Sequence, residues 1–207
     1  MNGFRVFAAL VWIAAFSLVA APARDAHAAA VVGKAAPAFS LTDLEGKTVR
    51  LADFKGKFVV LEWVNFDCPF VQKHYGSGNM QSLQRTYAGK GVVWLAVNSS
   101  APGKQGHYPP AEIEARAKRH AAAFSAYLVD PDGAVGRAYG AKTTPHMFVI
   151  DPAGTLLFAG GIDDKPSTDV ADVATAKNFV RLALDAALAG QPVAVTSSQP
   201  YGCSVKY

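Results

Sequence analysis

Phe58-Val59-Val60-Leu61-Glu62-Trp63-Val64, running straight into Asn65-Phe66-Asp67-Cys68-Pro69-Phe70-Val71, is the stretch on which the fold turns. The first seven residues are short, β-branched and aromatic, the composition of a buried strand. Pro69 suits the first turn of a helix, where its missing N–H costs nothing. Cys68 therefore sits where a strand ends and a helix begins. A thiol there meets unpaired N–H donors and the positive end of the helix dipole, both of which favour thiolate. The setting predicts a reactive cysteine; the plainer alternative is a small buried hydrophobe.

Upstream of this stretch, Met1 to Arg5 carry one positive charge, residues 7–20 are almost wholly apolar, and Ala26-His27-Ala28 offers a small-residue cleavage site. This reads as a secretory signal peptide over residues 1–28, the other reading being an uncleaved N-terminal anchor. The apolar run is short for a membrane span and no later run is long enough, so no stable membrane insertion is expected after cleavage. The expected location is periplasmic or secreted. Two cysteines, Cys68 and Cys203, survive cleavage, and in an oxidising compartment two thiols can persist as a disulfide. The formal charge of +4 drops to about +3 once Arg5, Arg24 and Asp25 leave. That mild basicity, with no Lys/Arg-rich run, gives no support for nucleic-acid binding.

Downstream, strands are expected at 39–41 and 48–51 around a Gly46 turn, at 58–64, at 92–97 and at 127–129, with a hairpin of 147–150 and 155–159. Helices are expected at 69–75, 79–87, 111–124 and 134–139, and a long amphipathic one at 169–189. Residues 191–207 form a Pro-, Ser- and Gly-containing tail, expected to be mobile, that carries Cys203. Strands alternating with helices predict an α/β sandwich around a mixed sheet. The 207 residues suffice for one domain with a proper core, here placed at residues 31–190.

The chain resembles the thioredoxin-like superfamily, and within it the peroxiredoxin-like or redoxin family of alkyl hydroperoxide reductases and thiol-specific antioxidants. The resemblance rests on Val32-Gly33-Lys34-Ala35-Ala36-Pro37-Ala38-Phe39-Ser40-Leu41, on Gly46-Lys47-Thr48-Val49-Arg50-Leu51 through Phe54-Lys55-Gly56-Lys57, on Cys68-Pro69, and on Thr144-Pro145 before Met147-Phe148-Val149-Ile150-Asp151. It implies a thioredoxin-like α/β/α sandwich with about four core strands and Cys68 as the nucleophile. It also implies a cis Pro145 packed on Cys68, with the Thr144 backbone free to pair with a substrate chain.

Departures from the family pattern limit the chemistry. A dithiol of the Cys-x-x-Cys kind resolves its own mixed disulfide, but Val71 stands at the second position, so exchange within the motif is excluded. In the peroxidases that the family includes, a Thr or Ser three residues before the cysteine, a Pro upstream and a later Arg handle the peroxide; here Asn65, Leu61 and Pro145 stand there. Slow oxidation by a hydroperoxide needs only an accessible thiolate. Cys203 is the candidate for the missing thiol. It either resolves an oxidised Cys68 across a loop of about 135 residues, which is entropically tolerable, or forms a permanent disulfide, or never meets Cys68.

Other residues carry weaker signals. His74 and His146, with Cys68, Cys203 or Asp67, have the residue types of a copper or zinc site, but Gln72 breaks the Cys-x-x-x-Cys pattern of copper-binding relatives. They read more simply as surface or hydrogen-bonded histidines. Asp67 should raise the Cys68 pKa by like charge, with Lys73 as the offset. Glu62 reads as edge-exposed, the other reading being a buried acid that moves protons for Cys68. The sum is an exported thiol-disulfide oxidoreductase or antioxidant protein of the redoxin type. Cys68 would be the nucleophile, Cys203 the resolving thiol, and Thr144 and Pro145 the substrate-presenting loop. No cofactor or metal is called for, and another thiol or disulfide protein would serve as electron donor or substrate. The alternatives are a one-cysteine thiol peroxidase and a non-catalytic copper-binding or scaffold module.

Overall fold

The computed structural model describes Met1 and residues 29–207; the signal peptide expected over residues 1–28 falls, Met1 apart, outside the described residues. The first hairpin joins β1 (Ser40–Asp43) to β2 (Thr48–Arg50). Its turn closes because the Asp43 carboxylate accepts from the Glu45 and Lys47 amides while Gly46 takes φ +82°. After a short 3-10 turn, β3 (Val59–Trp63) leads into α1 (Pro69–Gly76) and α2 (Asn79–Ala88), with Gly78 left-handed at the break between them. Then follow β4 (Val93–Asn98), α3 (Pro110–Arg119), β5 (Ala126–Val129), α4 (Ala134–Tyr139), β6 (Thr143–Thr144), β7 (His146–Ile150), β8 (Leu156–Gly160), α5 (Phe179–Leu188) and β9 (Cys203–Ser204).

The α/β architecture with a mixed central sheet is as expected. The strand order is β2-β1-β5-β4-β3-β7-β8, with β3, β4 and β5 parallel and the remaining pairs antiparallel. The seven strands read from the sequence all join this sheet; the resemblance implied about four core strands, and the N-terminal hairpin supplies two of the others, joining through β1 against β5. A second, two-stranded sheet pairs β6 with β9.

β3 is buried along its whole length, and its side chains alternate between two cores. Val60 and Val64 join Trp94, Met147 and Val149 under α1, α2 and α5. Val59, Leu61 and Trp63 join Leu95, Val97, Phe148 and Tyr139 on the other face. A central strand covered on both sides reads as a continuous apolar run, and each large side chain so buried is worth about 1.5–3 kcal/mol. On the second face Trp63 Nε1 donates to Ser99 Oγ at 3.0 Å, and Ser99 donates to Asp130 at 2.6 Å. The indole thereby keeps its polar partner inside the core.

Three expectations fail. The helix expected over 169–189 is a 3-10 segment at Val170–Thr175 and then α5. It breaks because Asn178 bridges back to Asp163, and its side chain caps the Arg181 amide at 2.8 Å. The helix expected over 111–124 stops at Arg119, where His120 and the positive-φ Ala121 turn the chain into β5. The tail is docked. Ser197 bridges β8, the Val205 amide donates to Lys142 O at 3.0 Å, and Tyr207 Oη donates to Ala141 O at 2.8 Å. Composition marked the tail as irregular, but its backbone groups find partners on the folded domain. No described helix is long and apolar enough to cross a membrane.

Candidate active site

Cys68 occupies the N-cap position of α1 in extended backbone (φ −78°, ψ 123°), with Pro69 following. The turn that delivers it is an Asx turn. Asn65 Oδ1 accepts from the Asp67 amide at 3.0 Å, and Asn65 O accepts from the Cys68 amide at 3.0 Å. The cysteine is fully buried. What buries it is the rest of the site.

Four sequence-predicted residues converge here. The Thr144–Pro145 bond is cis. The Thr144 carbonyl oxygen lies 3.0 Å from Cys68 Sγ and accepts from the thiol. Cys203 stands opposite Thr144 in the β6–β9 pair, and its amide nitrogen is 3.4 Å from Cys68 Sγ. Both cysteines are free, and their thiols are within hydrogen-bonding reach of each other.

The electrostatics separate the two thiols. Burial raises the Cys68 pKa, but the Cys203 thiol, the Thr144 side chain, the Cys203 amide and the Val71 amide all direct donors at its sulfur, and the outcome lies below the ordinary thiol value. Cys203 is pushed up to about 11, first by burial, then by donating to Cys68 and by the charge that Cys68 acquires. The pair titrates as a unit in which Cys68 ionises first and Cys203 holds the proton.

Other expectations are redistributed. Asp67 turns away from the thiol to pair with Arg116 and to accept from Tyr108, so it is not the like charge expected beside Cys68. Lys73 is buried and donates to Lys165 O at 2.7 Å. Glu62 is fully buried and not edge-exposed. It accepts from Trp94 Nε1 at 2.7 Å, Tyr75 Oη at 2.9 Å and Gln84 Nε2 at 3.1 Å. Burial outweighs these three donors and raises its pKa to about 7. The signal was present in the sequence, because a strand inside a two-faced sandwich has no exposed side for Glu62 to take.

The histidines are hydrogen-bonded interior groups. The Lys142 amide donates to His146 Nδ1 at 3.2 Å, and burial lowers this ring's pKa to about 4. His74 Nδ1 accepts from Asn79 at 2.9 Å, which leaves the proton on Nε2, 3.0 Å from Tyr201 Oη. Tyr201 in turn donates to Asp163 Oδ1 at 2.5 Å. Among the described residues no group of three or more His, Cys, Asp or Glu is placed to hold a metal ion. This Tyr201 socket was missed from sequence; its one pointer was a tyrosine two residues before Cys203.

Comparison with known proteins bears on the fold and the family. Residues 32–159 match the AhpC/TSA family. A thiol-disulfide oxidoreductase ResA from Geobacillus thermodenitrificans is 34% identical over 128 residues, which cover 62% of this chain and 68% of that protein. The crystal structure of an uncharacterized conserved protein from Geobacillus kaustophilus superposes with a TM-score of 0.73 at 30% identity, covering 86% of this chain and 92% of that one. The thioredoxin domain of a thiol-disulfide oxidoreductase from Bacteroides vulgatus, 20% identical, superposes with a TM-score of 0.51 over 70% of this chain and 96% of its own, and shares the fold. The mixed sheet is thus of the thioredoxin-like kind.

Proposed function

This chain belongs to the AhpC/TSA family and is an oxidoreductase; from that premise we propose that it is an exported thiol-disulfide oxidoreductase with Cys68 as nucleophile and Cys203 as resolving thiol. The observation that carries this reading is the contact between Cys203 and Cys68 across 135 residues of chain, with both thiols free. The Cys68 thiolate attacks a partner disulfide, forming a mixed disulfide and releasing one partner thiolate. Cys203, deprotonated as it attacks, displaces the second partner sulfur from Cys68. The partner leaves with two thiols, and the chain keeps a Cys68–Cys203 disulfide. A dithiol protein then reverses the sequence and restores both thiols.

Thr144 and Pro145 form the edge against which the partner chain lies. The domain doing this work is residues 31–190, with 1–28 as the signal peptide and 191–207 as the tail that brings Cys203. The periplasm or the cell exterior is the proposed location, which suits a disulfide that must persist between turnovers. Peroxide reduction is the less supported reading, because Asn65 is occupied by the Asp67 amide and the Gln105 carbonyl.

Mass spectrometry of the exported protein, with and without a dithiol reductant, tests the proposal. A Cys68–Cys203 cross-link that forms with a disulfide substrate and disappears on reduction is the expected result, with turnover lost in Cys68→Ser. Two thiols that never pair, or full turnover in Cys68→Ser, would overturn it.

A further inference from the structure

The tail lies in the site as a strand. Cys203 and Ser204 pair antiparallel with Thr144 and Thr143, so the chain fills with its own backbone the edge that faces the Cys68 sulfur. The residues before Cys203 are held in two specific ways. Gly202 takes φ +134°, and a Cβ there would fall 2.1 Å from Thr144 O. No side chain fits at that position while the strand is paired. Tyr201 then drops into a polar socket. Its hydroxyl donates to Asp163, it lies 3.0 Å from His74 Nε2, and its ring packs edge-on against Phe70.

Within the socket, Asp163 and His74 are nearly or wholly buried, and Asp163 Oδ2 has no hydrogen-bond partner. Buried polar atoms normally find partners, so Asp163 Oδ2 leaves the socket one acceptor that the tail does not use. A pocket of about 260 Å³ opens beside Tyr201, lined in part by Asp163, Phe179 and Ser198.

We infer that the tail is a resident likeness of the partner: the β6 edge selects disulfide-bearing segments with a tyrosine two positions before the attacked cysteine and a glycine immediately before it. This rests on the thiol-exchange reading above and adds to it the class of chain recognised, an extended Tyr-Gly-Cys segment. Tyrosine is favoured because its ring fits beside Phe70 and its hydroxyl satisfies His74 and Asp163 together. Glycine is required because the Thr144 carbonyl leaves no room for Cβ. The tail competes for the same edge, so a partner binds as the tail lifts.

The test uses the full-length chain with Gly202→Val and Cys203→Ser, which frees the edge and removes the resolving thiol. The probes are three short peptides, each with its cysteine in mixed disulfide with thionitrobenzoate: acetyl-Ala-Tyr-Gly-Cys-Ser-Ala-amide, the same peptide with Ser for Tyr, and the same peptide with Ala for Gly. Cys68 thiolate attacks the peptide sulfur, the Cys68–peptide disulfide forms, and the yellow thionitrobenzoate leaves as the better leaving group.

The Tyr-Gly-Cys peptide is expected to react at least roughly tenfold faster than either variant, the ratio that one well-made buried contact supplies. Adding Asp163→Asn should remove the advantage of Tyr over Ser. The single Cys203→Ser protein keeps the native tail, so it should rank the peptides in the same order at lower rates, and it serves if the double variant does not fold. Equal rates for the three peptides would overturn the inference and leave the exchange reading standing. No release from any peptide, with Cys68 still open to alkylation, would overturn the exchange reading and the inference with it.

Discussion

The Cys203 amide points at Cys68 Sγ from 3.4 Å, and the Cys203 thiol lies in reach of the same sulfur. The tail therefore brings two donors to a buried cysteine whose pKa desolvation acts to raise. Cys203→Ala removes the thiol donor and keeps the amide. The Cys68 pKa is expected to rise, which the pH dependence of its alkylation rate by iodoacetamide reads directly. An unmoved or lowered profile would mean that the Cys203 thiol takes no part in setting the thiolate.

Glutathione disulfide separates the nucleophile from the resolving thiol. With Cys203→Ser, Cys68 is expected to stop as a mixed disulfide with one glutathione, visible as a stable adduct by mass spectrometry. In the unsubstituted chain the same adduct passes on to the internal disulfide and both glutathione halves are released as thiols. Persistence of the adduct in both proteins would assign Cys203 a purely structural place.

The strand–Cys–Pro–helix junction was legible because it rests on local rules: a β-branched apolar run, then a proline that only a first helical turn accepts. The alternation of strands and helices fixed the fold class on the same basis. Long-range pairing was not legible. Nothing in residues 191–207 announces that Cys203 will pair with Thr144, since a two-residue ladder closed across the whole domain has no local pattern. Glu62 was misread although the unbroken apolar run around it marked a strand covered on both faces; its partners Trp94, Tyr75 and Gln84 come from other elements and were not legible. Asp67 was assigned the wrong partner for a related reason, as Arg116 lies 49 residues away. The break at residues 176–178 was hidden because Asn178 is an acceptable helix residue until Asp163 is beside it.

Asp67 next to Cys68 in sequence would, by proximity alone, hold the thiol up. Its carboxylate instead pairs with Arg116 and Tyr108, tying the turn before α1 to α3 and to the loop that precedes it. Asp67→Asn is therefore expected to leave the alkylation profile of Cys68 in place. It should lower stability by about 1 kcal/mol, the usual scale for a partly exposed pair. Urea unfolding together with the alkylation profile checks both halves. A clear fall in the Cys68 pKa on substitution would show that the carboxylate acts on the sulfur after all.

Three buried groups give the stability a pH dependence with opposing signs. Glu62 goes from 4.5 unfolded to about 7 folded. Between those values the native state binds the extra proton, so this group costs stability as pH rises, by roughly 3 kcal/mol once both values are passed. His74 and His146 go from 6.5 to about 4. There the unfolded state binds the extra protons, so each stabilises the fold as pH rises from about 4 to 6.5, by a similar amount. The histidines outnumber the acid, and stability should climb from pH 4.5 to 6.5, then decline slightly toward 7 as Glu62 finishes ionising. Glu62→Gln keeps the shape and removes the charge. Its stability relative to the unsubstituted protein is expected to improve steadily across pH 4.5 to 7, whatever offset the lost hydrogen bonds impose at the acid end. Urea melts at several pH values measure that difference, and a difference constant with pH would mean that Glu62 stays ionised in the fold, held by Trp94, Tyr75 and Gln84.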